Sequence, residues 1–319
     1  MTSLLEQKTA SQEARKRVPD FFIVGHPKCG TTALWNAIRR HPEVYMCDMK
    51  EPRFFATDMK AGHKPGYPQT LEEYLSLFDA AKPEQRVGEA SPSYLTSRTA
   101  ARAIAEVQPN ARIIAILREP ASFIYSFHLD LLQRGHGETE KDLRQALANE
   151  KFERVKGVTE RRYTDHVQYV DQLRRYHAVF AREQVLVLIY DDYRADNEGT
   201  LRQVLRFLEV DDTPALNMED ANPTVRIRSV HFGNLTRTLR RGQGPVAGAA
   251  KKAITGLTSR RFREAHLYPL WKRIQYAAPR PPDEQLMLEL RRQFKPEVVA
   301  ISEYLGRDLV SLWGYDKVR

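Results

Sequence analysis

The chain has 319 residues, of which 42% are hydrophobic, so it is long enough to bury a sizeable core as one large α/β domain or as two smaller ones. Lys and Arg number 50 against 41 Asp and Glu, a net charge of +9, which suits an anionic ligand, an acidic polymer or a membrane surface without choosing among them. Two cysteines, Cys29 and Cys47, are too few for a disulfide framework, and we expect both to be thiols in a reducing compartment.

Two features of the chain bear on where the protein resides. Residues 1–17 are polar and charged and lack the apolar core of a secretory signal. The sequence contains no run of about 18 apolar residues that could span a bilayer. We therefore expect a soluble, cytoplasmic protein with an N-terminal tail over 1–18 and a single domain over 19–319, of which 223–319 forms a helical C-terminal part.

Apolar runs alternate with helical periodicity along the chain. Apolar runs predict strands at 21–24, 44–46, 86–89, 112–118 and 184–190. Helical spacing predicts helices at 31–39, 71–79, 97–107, 120–133, 139–151, 161–180 and 283–305, with a further helix that ends near 208. This alternation predicts an α/β fold, a central parallel sheet flanked by helices on both faces, with ligands at the carboxyl ends of the strands.

The C-terminal third of the chain has a different composition. From about residue 223 onward, arginines and lysines are separated by glycines and other small residues. This stretch is expected to be either a helical basic elaboration of the domain or a flexible segment. After the helix over 283–305, the residues Leu309, Leu312 and Trp313 are expected to pack as a closing apolar tail.

The stretch from Asp20 to Thr32 contains the most informative pattern. Apolar Phe21 to Val24 predict a buried strand, Gly25 to Gly30 a tight loop, and helical spacing begins at Thr31. A strand that leads through such a loop into a helix directs backbone N–H groups at one point, which is an anion site. In a Walker A loop the lysine follows the second glycine, whereas Lys28 lies inside the loop and can contact a leaving group beside the bound phosphate.

A second pattern follows the strand over 112–118. Arg118 stands at the end of that strand, and Ser126 follows eight positions later on the next predicted helix. Arginine offers a planar pair of donors that fits a phosphate, and serine offers a hydroxyl donor. Both are expected at the sheet edge that carries the Gly25 loop.

These two patterns resemble those of the PAPS-dependent sulfotransferases, PAPS being 3′-phosphoadenosine 5′-phosphosulfate. The run Gly-x-x-Lys-x-Gly-Thr-Thr is similar to the family's 5′-phosphosulfate loop, and Arg118 with Ser126 is similar to its 3′-phosphate motif. The resemblance implies a P-loop-like fold and transfer of a sulfuryl group from PAPS, as co-substrate, to a hydroxyl or an amine. Adenosine 3′,5′-bisphosphate (PAP) is the other product, and no metal is required.

The resemblance also implies roles for individual residues of the loop. Lys28 would stabilise the charge that develops on the leaving oxygen. Backbone N–H groups from Cys29 through Gly30 to Thr32, together with the hydroxyls of Thr31 and Thr32, would hold the 5′-phosphate.

A later basic segment is expected over the nucleotide as well. Arg228 and Ser229 lie where sulfotransferases return a basic segment over the nucleotide, and the resemblance assigns both residues to the 3′-phosphate. A solvated basic patch is the alternative interpretation of this segment.

A carboxylate is expected to take the acceptor's proton. Sulfotransferases that modify glycans in the Golgi carry an acidic residue just ahead of an aromatic pair, and Glu51 precedes Phe54 and Phe55 in the same way. Cytosolic aryl and steroid sulfotransferases use a histidine after the third strand, where this chain has Glu89. The resemblance therefore favours the bacterial and Golgi glycan-type branch, with Glu51 as base and Glu89 in reserve.

Other assignments of these residues stay open. Glu51 could also be a carboxylate that faces solvent in a Lys-Glu-Pro turn. His26 could reach the sulfuryl oxygens, although an ordinary loop contact is favoured, and His128 is expected to pack near Ser126 or to act as the base itself. The acceptor is expected to be a small-molecule or glycan-like hydroxyl compound, not a nucleic acid, with peripheral contact to a membrane or a lipid acceptor left open.

Two other functions compete with this interpretation. Leu186 to Asp191 resembles the strand and metal-holding aspartate of a P-loop nucleotide kinase or NTPase. The basic segment over 226–263, with apolar residues between its cations, is compatible with a non-catalytic binder of acidic glycans or of a membrane surface.

Overall fold

The computed structural model describes residues 17–59, 66–134, 138–150, 152–155, 158–161, 163–213, 226–227, 276–277 and 281–318. The predicted N-terminal tail and nearly all of the basic segment therefore lie outside the described residues. Among the described helices, none combines the length and the apolar character needed to cross a membrane.

A parallel five-stranded sheet forms the centre of the fold. Its strands are β1 (Phe21–Gly25), β2 (Val44–Met46), β3 (Arg86–Ala90), β4 (Arg112–Leu117) and β7 (Val185–Ile189), in the order β2-β3-β1-β4-β7. All five residues of β1 are buried, as expected for a strand covered on both faces. The prediction of an α/β fold with a central parallel sheet flanked by helices is confirmed.

The register of the sheet brings the carboxyl ends of its strands to one edge. Phe21 on β1 pairs with Gly88 on β3 and with Arg112 on β4, and Leu117 on β4 pairs with Ile189 on β7. Because the strands are parallel, the segments that follow β1, β3, β4 and β7 emerge along this edge, where α/β proteins place their ligands.

Helices occupy most of the segments between the strands. They are α1 (Thr31–Ile38), α2 (Leu71–Ser76), α3 (Ala100–Val107), α4 (Pro120–Arg134), α5 (Leu143–Ala148), α6 (Tyr169–His177), α7 (Tyr190–Ala195), α8 (Asn197–Phe207), α9 (Glu284–Leu305) and α10 (Leu309–Leu312). Side-chain caps fix several of their starts: Thr70 and Glu73 form a capping box at α2, and Asp196 accepts from the backbone N–H of Gly199 at α8.

The bounds of the predicted helices over 139–151 and 161–180 are wrong, because both helices are shorter. The first is shorter and begins after Asp142, whose carboxylate caps α5. An antiparallel hairpin, β5 (Phe152–Val155) with β6 (Val158–Arg161), follows, and α6 begins only at Tyr169. Gly157 between residues with β-branched side chains is the sequence signal for this hairpin. A short antiparallel pair, β8 (Arg226–Ile227) with β9 (Tyr276–Ala277), also lies in the part predicted as helical.

The described residues fall into two compact units. The first is drawn from Met1–Pro120, Lys151–Asn222 and Gln293–Arg319 and holds the five-stranded sheet. The second is drawn from Ala121–Glu150 and Pro223–Arg292 and holds α5 and most of α4. A single domain over 19–319 stays a prediction.

The chain end packs within the first unit. Leu309 and Trp313 are buried, as predicted, but Leu312 is 44% exposed, so it does not belong to the apolar tail. One-turn spacing explains this, since α10 can direct only one of its faces inward. Tyr315 is fully buried, and the sequence carried no signal for it.

Candidate active site

The loop from Gly25 to Gly30 joins β1 to α1. Lys28 has φ 63° and Gly30 has φ 85°, both in the left-handed region, and such turns direct consecutive N–H groups toward one concavity. The N-cap residue of α1 is Gly30, which has no side chain to cap the helix, and the first turn of α1 holds no acidic residue. The N–H groups and the positive end of the helix dipole are therefore directed at an anion site.

Two tyrosines of α7 lie against this loop. A Cβ atom added to Gly30 would stand 2.6 Å from the Cε1 atom of Tyr193 and 3.5 Å from the Cε2 atom of Tyr190. Only glycine fits here, because both the positive φ and the close approach exclude a side chain. The loop is thereby held in one conformation.

Arg118 emerges from β4 and contacts the loop directly. Its Nη1 atom donates to the carbonyl oxygen of Lys28 at 3.0 Å, and its guanidinium carbon lies 4.7 Å from the centroid of the Tyr190 ring. The hydroxyl of Tyr169 donates to the carbonyl oxygen of Arg118 at 2.8 Å. The structure therefore brings Lys28 and Arg118 together at the sheet edge, as the two sequence patterns predict.

The remaining loop residues contribute mainly through their backbone. The side chain of Cys29 is fully buried, and burial raises the pKa of its thiol to about 12, an effect that Arg118 only partly opposes. A thiol with that pKa is not a nucleophile at neutral pH. Thr31 is buried at the start of α1, and Thr32 is partly exposed beside it.

His26 makes a structural contact beneath the loop. Its Nε2 atom lies 2.6 Å from Oε1 of Gln172, and the amide nitrogen of Gln172 donates to the carbonyls of Asp165 and His166. The Gln172 oxygen therefore faces the ring, and the proton of His26 sits on Nε2. Burial, with a smaller contribution from His166, lowers the pKa of His26 to about 3, so the ring stays neutral.

Glu51 follows β2 in the chain and lies beside the last residue of β3, since its backbone N–H donates to the carbonyl of Ala90 at 3.1 Å. One carboxylate oxygen accepts from Lys50 Nζ at 2.7 Å and the other from Arg53 Nη2. Glu51 and Arg53 both have positive φ values, 63° and 56°, a strained conformation that is common at functional sites. Burial by itself would raise the pKa of Glu51, but Lys50 and Arg53 outweigh it and lower that pKa to about 2.

Glu89, the reserve candidate, is a core residue. It is fully buried, and the hydroxyl of Tyr74 donates to its Oε2 atom at 3.1 Å. Burial raises the pKa of Glu89 to about 8, although hydrogen bonds from Tyr94, Tyr74 and Ser91 oppose the shift. At neutral pH this carboxyl group is mostly protonated, so it is a poor proton acceptor.

The other predicted site residues are placed as follows. Ser126 and His128 are buried on α4, in the second unit. His128 Nε2 lies 3.3 Å from the carbonyl of Lys141, and burial lowers its pKa. Arg228 and Ser229 lie outside the described residues.

The aspartate that resembled a metal ligand has another partner. Asp191, which follows β7, accepts from the indole Nε1 of Trp313 at 2.9 Å. Within the described ranges, no three His, Cys, Asp or Glu side chains converge as a metal site would require. The aspartate on which the kinase or NTPase interpretation rested therefore also contacts the chain end.

Several residues around the loop had not been identified from the sequence. Tyr190 is the last residue of a predicted strand, so its place at the carboxyl edge was recoverable from chain order. Tyr169 and Trp313 lie 51 and 122 positions from the residues they bind, and no local pattern connects such pairs.

Comparison with known proteins gives concordant matches. The model of the family described as "Sulfotransferase family" matches residues 19–214, more than half of the chain. Carbohydrate sulfotransferase 15 of Homo sapiens is 27% identical over 248 residues, which cover 60% of this chain and 44% of that protein. Bifunctional heparan sulfate N-deacetylase/N-sulfotransferase 1 of Caenorhabditis briggsae is 26% identical over 209 residues, 63% of this chain and 24% of that protein.

The chain thus spans less than half the length of these curated relatives. Among solved structures, the crystal structure of a sulfotransferase from Alicyclobacillus acidocaldarius is similar over nearly its whole length. It has a TM-score of 0.63 and 25% sequence identity and covers 93% of this chain and 99% of that one.

Proposed function

Because the chain belongs to the sulfotransferase family, we propose that it transfers the sulfuryl group of PAPS to a hydroxyl of a sugar-containing or other small-molecule acceptor. The observation that carries the proposal is the Gly25 loop, in which Lys28 sits at φ 63° and Arg118 binds its carbonyl. A cation inside an amide-lined anion site suits a reaction whose leaving group is a phosphate. The names of the relatives, a carbohydrate sulfotransferase and a heparan sulfate N-sulfotransferase, support a sugar-containing acceptor.

The nucleotide is proposed to bind along the carboxyl edge of the sheet. The N–H groups from Cys29 to Thr32 hold the 5′-phosphate, with the hydroxyls of Thr31 and Thr32 as further donors. Arg118 binds the 3′-phosphate with its guanidinium, which Lys28 and Tyr190 already orient. The resemblance of the sequence to the family assigns Ser126, Arg228 and Ser229 to the same phosphate.

The transfer then proceeds in line. The acceptor oxygen forms a bond to sulfur, and the bond from sulfur to the bridging oxygen of the 5′-phosphate breaks. Lys28 donates to that bridging oxygen as negative charge develops on it. The acceptor's proton passes to Glu51, and the products are a sulfate ester and PAP.

Glu51 is the better of the carboxylate candidates for the base. It stays ionised at neutral pH because its pKa is about 2, whereas Glu89 has a pKa of about 8 and retains its proton. Glu51 also retains some exposure at the sheet edge, 16% of its side chain, while Glu89 is fully buried. A general base must reach the proton that it accepts, and the partial exposure of Glu51 supports its assignment.

Metal independence and location are further parts of the proposal. Lys28 and the loop amides supply positive charge to the leaving group, so the proposed reaction has no step that needs Mg²⁺. Cys29 and Cys47 are free thiols, which supports a reducing compartment such as the cytoplasm.

Incubation with ³⁵S-labelled PAPS and a panel of sugars, glycosides and small hydroxyl compounds tests the proposal. We expect labelled sulfate ester and equimolar PAP, with turnover unchanged by EDTA. Use of the γ-phosphate of ATP, abolished by EDTA, would instead support a kinase. Binding to heparin or to anionic vesicles without turnover of any acceptor would instead support a non-catalytic binder.

A further inference from the structure

Acidic residues stand directly beside the proposed nucleotide site. Because Leu117 pairs with Ile189 at the ends of β4 and β7, the residues that follow each strand are neighbours. Arg118 is followed by Glu119, and β7 is followed by Asp191 and Asp192 after one intervening tyrosine. Carboxylates so close to an anion site would oppose phosphate binding unless other groups engage them.

The last residues of the chain engage these carboxylates. The hydroxyl of Tyr315 donates to Oε1 of Glu119 at 2.6 Å, and the indole Nε1 of Trp313 donates to Oδ2 of Asp191 at 2.9 Å. Both donors sit on aromatic rings that are almost completely buried. Each donor is therefore fixed in position by packing.

Arg307 binds the third carboxylate, with Nη2 2.6 Å from Oδ1 of Asp192 and Nη1 on the other oxygen. The segment that carries these donors, residues 307–318, is anchored apart from them as well. Leu309 is fully buried, and Lys295 Nζ donates to the carbonyl of Val318 at 2.5 Å. We call residues 307–318 the C-terminal clasp.

Arg118 directly precedes Glu119 in the chain and follows the strand that pairs with β7. The described contacts of its guanidinium are the Lys28 carbonyl and the Tyr190 ring. Within the part of the chain that the structure describes, no carboxylate forms an ion pair with it. The charge of Asp191 nevertheless reaches the loop, since it contributes to the raised pKa of Cys29. A carboxylate released from the clasp would have Arg118 as a competing partner.

We propose that the C-terminal clasp holds Asp191 and Glu119 away from Arg118, so that Trp313 and Tyr315 are positioning residues for nucleotide binding. The clasp acts by directing two negative charges away from the guanidinium that receives the phosphate. This inference rests on the proposed function, because it takes Arg118 to be a phosphate ligand.

Calorimetric titration with PAP tests the clasp. Tyr315→Phe removes one donor and keeps its ring, and Trp313→Phe removes one donor and replaces the indole with a smaller aromatic ring. Each should raise the Kd for PAP by about fivefold, the effect of one nearby charge at partial solvent screening. Adding Asp191→Asn to Trp313→Phe should restore wild-type affinity, because a neutral amide does not compete for Arg118. Leu312→Ala is the matched control, since it shortens an exposed side chain of the same segment and leaves the donors to all three carboxylates in place.

The outcomes separate the clasp from the proposed function. Unchanged PAP affinity in Trp313→Phe and Tyr315→Phe would overturn the inference, and so would a double variant that stays weak or a Leu312→Ala variant that weakens equally. If either aromatic variant fails to fold, Asp191→Asn alone decides, because it must bind PAP at least as tightly as the wild type. A wild-type protein that does not bind PAP would contradict the proposed function itself.

Discussion

Lys28 combines a left-handed backbone conformation with a position inside the anion-binding loop. We predict that Lys28→Ala lowers the single-turnover rate of sulfuryl transfer by about a hundredfold or more, because the leaving oxygen loses a donor that acts in the transition state. The Kd for PAP should change far less, because the loop amides remain. Rapid-quench assays with labelled PAPS measure the rate, and titration with PAP measures the affinity.

Lys28→Arg is the control for this substitution, since it keeps the charge and should retain more of the rate than Lys28→Ala. A near-normal rate in Lys28→Ala would show that the lysine does not contact the leaving oxygen.

Glu51 owes its low pKa to its two cationic partners, which outweigh its burial. We predict that Arg53→Met raises the pKa of Glu51 from about 2 toward its ordinary value of 4.5. Because the base works in its ionised form, activity is lost as pH falls through that pKa, and the acid limb of kcat/KM should move upward. The profile is measured from pH 4 to 8 with a saturating PAPS concentration.

Arg39→Met provides the comparison, because Arg39 also pairs with a carboxylate, that of Asp48 at 2.9 Å. In the described part of the chain Arg39 does not contact Glu51. Coinciding acid limbs in the two variants would contradict the assignment of Glu51 as the base.

For single residues, the sequence predicts a role when that role depends on residues close by in the chain. Lys28 and Gly30 follow from loop spacing, because the loop contacts are local. The contacts of Lys50 and Arg53 with the Glu51 carboxylate accompany positive φ values at Glu51 and Arg53. Neither residue type indicates a positive φ. The burial of Glu89 depends on Tyr74, which a separate helix supplies.

At the scale of elements, β4 delivers Arg118 to the site and α7 supplies the ring against it. We predict that Arg118→Ala raises the Kd for PAP by roughly 10- to 100-fold, because charge-assisted hydrogen bonds contribute about 1.5–3 kcal/mol. Affinity for adenosine 5′-monophosphate, which lacks the 3′-phosphate, should be nearly unchanged. Isothermal titration with both nucleotides makes the comparison.

Arg112→Ala, at the amino end of the same strand, is the matched control and should leave both affinities near the wild-type values. Equal losses for both nucleotides in Arg118→Ala would mean that Arg118 does not recognise the 3′-phosphate.

Elements were predictable where one pattern dominated. The strand at 44–46 and the helix at 283–305 lie within one residue of their observed bounds, because buried strands and long amphipathic helices have strong periodicity. The hairpin β5–β6 was missed, because charged residues such as Glu153 and Arg161 also suit a solvated helix. In this segment, pairing between the two strands outweighs the preference of the individual residues for a helix.

At the scale of the molecule, Glu89 couples stability to pH. Its pKa is about 8 in the folded protein against an ordinary value of 4.5, so between these values the folded state holds a proton that the unfolded state has released. The unfolding free energy should therefore fall as pH rises through this range, by up to about 1.4 kcal/mol per pH unit from this group. We predict that Glu89→Gln removes this dependence, as urea unfolding at pH 5.5 and 8.5 can measure.

Glu106→Gln, which changes a surface carboxyl paired with Arg102, should leave the wild-type pH dependence intact. Parallel pH dependences in the wild type and Glu89→Gln would show that Glu89 is not held protonated.

The sequence predicted the parallel sheet but not the contacts between residues far apart in the chain. Alternating strands and helices led to the parallel sheet because each crossover has a local signature. The hydrogen bond from Tyr315 to Glu119 joins residues 196 positions apart, and packing of the complete chain alone determines such contacts.

The central claim is that the Gly25 loop holds the 5′-phosphate of the nucleotide beside Lys28. A crystal structure with bound PAP tests this claim most directly. The account predicts the 5′-phosphate within hydrogen-bond distance of the N–H groups of Cys29 to Thr32 and of Lys28 Nζ, with the 3′-phosphate on Arg118. PAP bound elsewhere, or Lys28 directed away from the 5′-phosphate, would contradict it.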